Sequence, residues 1–83
     1  MTVKFTRIED GMLQYECTAD NGRVYGVADT IVGGEIEDTI VIDMESYDEV
    51  ENSELFKKIV TARTIFMCEN YDVREALKEL RYN

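Results

Sequence analysis

Eighty-three residues carry 18 acidic side chains against 9 basic ones and no histidine, for a formal net charge of -9. A chain of this length makes one domain with one modest core, burying about 60 to 65% of the surface that its unfolded form exposes. Like-charge repulsion excludes direct binding to DNA, RNA or an anionic membrane, and leaves a basic protein as the electrostatically favoured partner.

A hydrophobic fraction of 45% with 33% charged residues is that of a folded domain, not of a disordered chain. The charged opening residues 1–10 offer no apolar run for a secretory signal, and no segment approaches the length of a membrane span, so a cytoplasmic protein is expected. Cys17 and Cys68 have no close-spaced partner of the C-x-x-C kind, which argues against a zinc or redox motif. Both are expected to be small buried hydrophobes.

Residues 3–8 form the first predicted strand, with Val3 and Phe5 on one face. Asp10-Gly11 supplies a tight hairpin turn into residues 12–19, where Leu13, Tyr15, Cys17 and Ala19 alternate with Gln14, Glu16 and Thr18. Asn21-Gly22 turns the chain again into a third strand over residues 23–29. Gly33-Gly34 marks a turn or bend. Beyond it, Ile36, Ile40, Ile42 and Met44 share one face and Glu35, Glu37, Thr39, Val41 and Asp43 the other, which predicts a fourth strand at least from Thr39 to Met44.

The period then becomes helical. Leu55, Ile59, Ala62 and Phe66, widened by Phe56, Val60 and Met67, predict a helix over residues 53–68 with Ser53 as N-cap and with Lys57, Lys58 and Arg63 on its wet side. Val73, Ala76, Leu77 and Leu80 predict a second over residues 72–82, with Asp72 and Glu75 at its start and Arg81 suiting the negative end of its dipole. The expected fold is α+β: an antiparallel meander of three to four strands over about residues 2–44, followed by two helices packed on one face.

Little chemistry is on offer. Without histidine, a serine or cysteine nucleophile would need a base among Asp, Glu or Lys, and Ser46 and Ser53 lie where capping is the ordinary role. No phosphate-cradling G-K-[ST] exists. Residues 43–54 have the twelve-residue span and the Asp and Glu ends of an EF-hand loop, but Tyr47 and Asp48 occupy its fifth and sixth positions and a strand precedes it. No enzyme activity, cofactor or dedicated metal site is expected.

One feature stands out. Residues 35–54, EIEDTIVIDMESYDEVENSE, hold nine carboxylates and no Lys or Arg, while the other 63 residues hold nine of each sign. Alternate strand residues lie about 6.5 to 7 Å apart and helix neighbours about 5 to 6 Å apart, so Glu35, Glu37 and Asp43 on the sheet's outer face, continued by Glu45, Asp48, Glu49, Glu51 and Glu54, would mimic successive phosphates. Clustering like charges costs stability that mixed charges would not, which argues for a partner; the plainer reading is a solvated acidic face. Tyr47 inside the block is a candidate contact anchor. Tyr15 is assigned to the core with its hydroxyl at the rim, Tyr71 and Tyr82 flank the second helix, and Tyr25 is left unassigned.

In size, acidity and compact α+β pattern the whole chain resembles the small inhibitor proteins encoded by phages, including anti-CRISPR proteins and DNA mimics, although no motif carries the likeness. The resemblance implies an acidic face occupying the Lys/Arg-lined nucleic-acid site of a host enzyme or defence complex. The alternative is a structural or regulatory interaction module acting through a sheet edge or by homodimerisation.

Overall fold

The computed structural model describes residues 1–81; Tyr82 and Asn83 lie outside it, as do the side chains of Leu77, Glu79, Leu80 and Arg81. Four strands, β1 (Thr2–Glu9), β2 (Met12–Thr18), β3 (Val24–Val32) and β4 (Glu35–Asp43), form one antiparallel meander in the order β1-β2-β3-β4. Two helices follow, α1 (Ser53–Glu69) and α2 (Tyr71–Arg81). α1 packs over β1 and β2 and α2 over β3, both on one face, as the sequence predicted.

The hairpins follow their turn residues. Asp10 and Gly11 both adopt left-handed backbone, and so do Gly33 and Gly34, the geometry that a two-residue loop needs to match strand twist. With so tight a turn at Gly33-Gly34, β3 and β4 run right up to it and exceed their predicted spans. α1 starts one residue after Asn52, whose Oδ1 accepts the Leu55 amide at 3.0 Å, so Asn52 and not Ser53 is the N-cap. A single extended residue, Asn70, separates the helices, and its side-chain amide donates to the Phe66 carbonyl at 2.7 Å.

The core lies between sheet and helices: Leu13, Tyr15, Cys17, Tyr25, Val27, Ile31 and Val41 from below, Ile59, Val73 and Ala76 from above. Tyr15 sits at its centre, edge-on to Phe5 (5.6 Å between centroids) and to Phe66 (6.3 Å), an arrangement suited to the ring quadrupoles. Tyr25 joins the core, while Tyr71 is exposed. Burial pushes the Cys17 thiol up to about 11. Cys68 departs from expectation: it is exposed on α1.

Two further departures share one cause. Arg63, predicted on the wet side of α1, is only 6% exposed, and Asp29 on β3 is fully buried. Arg63 Nη2 lies 3.2 Å from Asp29 Oδ1 and donates to Thr39 Oγ1 at 3.1 Å, while Thr39 Oγ1 donates to the same Asp29 oxygen at 2.6 Å. The helix thus reaches β3 and the edge strand β4 through one charged cluster. Asp29 Oδ2, Arg63 Nε and the Tyr15 hydroxyl, which is buried and not at a rim, make no hydrogen bond there. Burial raises the Asp29 carboxyl above its ordinary pKa, against the Thr39 hydrogen bond and the Arg63 charge, and burial with the nearby Asp29 charge raises the Tyr15 phenol.

Directly opposed residues share a face, so the pairs Tyr25–Asp43, Val27–Val41 and Asp29–Thr39 place Asp43, Val41 and Thr39 on the helix side. That reverses the predicted facing of residues 39–44, whereas Ile36, opposite the buried Ile31, and Glu35, opposite the exposed Val32, keep theirs. Val41 is fully buried, and Ile40, Ile42 and Met44 point to the open face. Pairing skips Glu37 on β4, a bulge that shifts the register near the hairpin.

Arg63→Met should lower unfolding stability by about 3 to 5 kcal/mol in urea titrations, because it strands Asp29 as a buried unpaired charge, whereas Lys57→Ala on the exposed surface should stay within about 0.5 kcal/mol. A raised folded-state pKa means that the native protein holds the Asp29 proton longer than the unfolded chain. Its contribution therefore falls as pH rises from the ordinary carboxylate value through the raised one. Urea midpoints of Asp29→Asn, followed upward from pH 4, should rise relative to wild type across that window.

Candidate functional site

The acid-rich segment is organised by Asp43 at the end of β4. Its Oδ1 accepts the amides of Glu45 (2.9 Å) and Ser46 (3.4 Å), and its Oδ2 takes Arg23 Nε at 2.7 Å. The Glu45 amide, followed by the Arg23 guanidinium, holds the Asp43 carboxyl below the usual range. The Tyr47 amide donates to the Asp43 carbonyl at 2.7 Å and the Asp43 amide to the Asp48 carbonyl at 2.9 Å, so the chain reverses. It then runs back along β4, with Ile42 bridged to Glu49 and the Val50 amide donating to the Val41 carbonyl at 2.8 Å. Val50 packs against the core and fastens the segment to it. Ser46, predicted at a helix start, instead accepts the Asp48 amide within this turn.

Glu45, Tyr47, Asp48, Glu49, Glu51 and Glu54 are all exposed along this path, between the end of β4 and the first turn of α1. Tyr47 is 77% exposed and sits at the reversal with φ 62, a left-handed conformation that an aromatic residue rarely adopts. Glu35 and Glu37 do not join them. They are exposed toward the Gly33-Gly34 end of β4, about 26 and 20 Å along the strand from Asp43, and nearer to Glu49, which lies opposite Ile42. Asp43, turned to the helix side, is absorbed into the fold. Glu35 and Glu37 thus stand toward one end of β4, and Glu45 to Glu49 at the other.

Arg23 was missed by counting along the chain. Lying just after the Asn21-Gly22 turn, it meets the end of β4 through the β3–β4 pairing and contacts Glu45 at 3.4 Å as well as Asp43. Among the described residues it is the only cation within ion-pair distance of the segment. The spacing that suggested an EF-hand gathers no metal cage: among the described residues no three of His, Cys, Asp or Glu converge in a way that could hold an ion. No described helix is long and apolar enough to cross a membrane.

A second feature, also missed, is a trough of about 470 Å³ on the open face of the sheet. Gly26 and Ala28 of β3 form its floor, Ile40, Ile42 and Met44 its apolar wall, and Met12, Gln14 and Glu16 the opposite wall. The signal was present in the alternation of Ile40, Ile42 and Met44, but it was assigned to the core.

The chain matches none of the protein families, curated proteins or solved structures with which it was compared.

Left-handed backbone costs a side-chain-bearing residue about 1 kcal/mol relative to glycine. Tyr47→Gly should therefore raise the thermal unfolding midpoint by a few degrees, even though it deletes a whole aromatic ring. A lower midpoint would show that the ring contributes to the fold.

Proposed function

We propose that the chain is a stoichiometric protein-binding inhibitor whose acidic segment, residues 45–54, occupies a basic nucleic-acid-binding site on another protein, in the manner of anti-CRISPR proteins and DNA mimics. The observation that carries this reading is the pinned and exposed segment itself. Glu45, Asp48, Glu49, Glu51 and Glu54 stand on a segment fixed by backbone hydrogen bonds to Asp43 and Val41, with Arg23 as the one nearby cation among the described residues. Such pre-ordering lowers the entropy cost of presenting several carboxylates at once to a Lys/Arg-lined surface. Tyr47 supplies what phosphates lack. Its exposed ring, carried on left-handed backbone, fits the role of an aromatic anchor at the centre of a polar contact, and backbone strain of this kind concentrates at binding sites. Glu35 and Glu37 belong to this surface only if the partner spans the length of β4.

The edge-strand alternative has weaker support. Residues 48–50 cover part of the β4 edge, and β1 carries a bulge at Thr6 together with Lys4 and Arg7, devices that discourage strand addition.

The test replaces Glu45, Asp48 and Glu49 with Gln, Asn and Gln, together with Glu51→Gln. Wild-type protein immobilised on beads should retain nucleic-acid-binding proteins from a lysate, release them as salt rises, and lose them to competing duplex DNA. The quadruple variant should lose this capture by at least about tenfold while its urea midpoint stays level or rises, since self-repulsion is relieved. Capture unchanged in the variant would refute the proposal.

A further inference from the structure

We infer that the open face of the sheet is a docking trough for a cationic amphipathic helix. The inference rests on the proposed function in one respect: it names the structural element by which a basic partner would seat beside the acidic segment.

The trough is built from β-strand alternation. Both helices cover the face bearing Tyr15, Val27 and Val41, so the alternate side chains of β2, β3 and the second half of β4 point to the opposite, helix-free face. β3 contributes only Gly26 and Ala28 at the centre, which lowers the floor, while Ile40, Ile42 and Met44 stand along one side. The Met44 thioether lies over Gly26, where even a Cβ would approach Sδ to 2.9 Å. Met44 is 40% exposed, and an unbranched methionine is the side chain best able to move aside for an incoming one.

Backbone bonding decides what form of chain can lie there. β2 and β3 are bonded on both sides within the sheet, so the face offers side chains and no spare N–H or C=O groups. A strand or loop pressed onto it would bury unpaired backbone polar groups; a helix satisfies its own. From Ile40 to Met44 the wall runs about 13 Å, room for roughly two and a half helical turns.

Charge decides which helix. Along the β4 side the trough is bordered by Asp38, which pairs with Thr30 on the open face, and by Glu49, opposite Ile42, both exposed, and Glu16 of β2 lines it. The β1 side bears Lys4 and Arg7, with Arg7 already bound to Glu9 at 3.0 Å. A helix with an apolar stripe and lysines or arginines along one flank would bury the stripe between the walls and set that flank over the acidic rim. A second copy of this chain brings another net charge of -9 and is disfavoured.

The probe is a synthetic peptide of about four turns with leucine on one face and lysine on the other, compared with a control in which serine replaces leucine at the same charge. Amide chemical shifts of the isotope-labelled protein report where each binds. The leucine–lysine peptide should shift Gly26, Ala28, Ile40 and Ile42, gain helical circular dichroism on binding, and lose affinity by at least about tenfold against Ile42→Lys. The serine control should leave those amides unmoved. Shifts confined to residues 45–54 with either peptide would overturn the trough while leaving the acidic segment as a binding surface. Trough shifts that persist in the quadruple acid variant, with no loss of affinity, would overturn the charge selection. Self-association through the trough, seen as concentration-dependent mass abolished by Ile42→Lys, would replace the helix with a second copy and overturn the inference.

Discussion

The arrangement depends on the charge pair buried between Arg63 and Asp29. Two ions taken from water into a small core lose several kcal/mol of solvation, which only close mutual contact and added hydrogen bonds return. Thr39 supplies those bonds by standing between the partners, 2.6 Å from the carboxylate and 3.1 Å from the guanidinium. An apolar contact at this place would tolerate either facing of the strands. The ion pair does not, because turning β3 over would expose Asp29 and leave Arg63 buried alone. With Asp29 fixed inward, Tyr25, Val27 and Ile31 follow it into the core, and Gly26 and Ala28 are left outside. Antiparallel pairing passes the same choice to β4.

The surface chemistry is a consequence of that choice. Inward placement of Asp43 puts its carboxylate where Arg23 and the following amides can hold it, and this hold starts the chain reversal that lays residues 48–50 against β4. One segment thereby protects an edge strand and displays carboxylates. Outward placement of Ile40, Ile42 and Met44 leaves apolar surface beside those carboxylates. The two features adjoin because they are the two sides of one strand and its continuation, and a partner able to use one meets the other. Basic side chains on this face stand on β1, at Lys4 opposite Glu16 and at Arg7, which is paired with Glu9.

Local signals were legible where physics acts over a few residues. Asp10-Gly11 and Gly33-Gly34 declared their turns because few other residue pairs tolerate left-handed backbone, and the change from alternation to 3.6-residue spacing after Met44 declared the switch from sheet to helix. Arg63 was misplaced because, taken by itself, a guanidinium among helix residues belongs in water; only Asp29, 34 positions away in the chain and adjacent in space, reverses that preference. The facing of residues 39–44 was misjudged for a related reason. Two isoleucines and a methionine outweigh one valine in hydrophobicity, but the facing of a strand is inherited from its neighbour in the sheet. Cys68 was assigned inward from the habits of cysteine, with no local feature to correct it.

The sequence by itself determined the class of fold, the order of its elements, the position of its hairpin turns and the excess of carboxylates over residues 35–54. Each follows from backbone stereochemistry, short-range periodicity or simple charge counting. Tertiary structure alone decided which face of the sheet the helices cover, that Arg23 reaches the acids at the end of β4, that Glu35 and Glu37 stand toward one end of β4 and Glu45 to Glu49 at the other, and that an apolar trough remains open. Those outcomes turn on contacts between residues distant in the chain, above all one buried ion pair whose partners have no local reason to be inside.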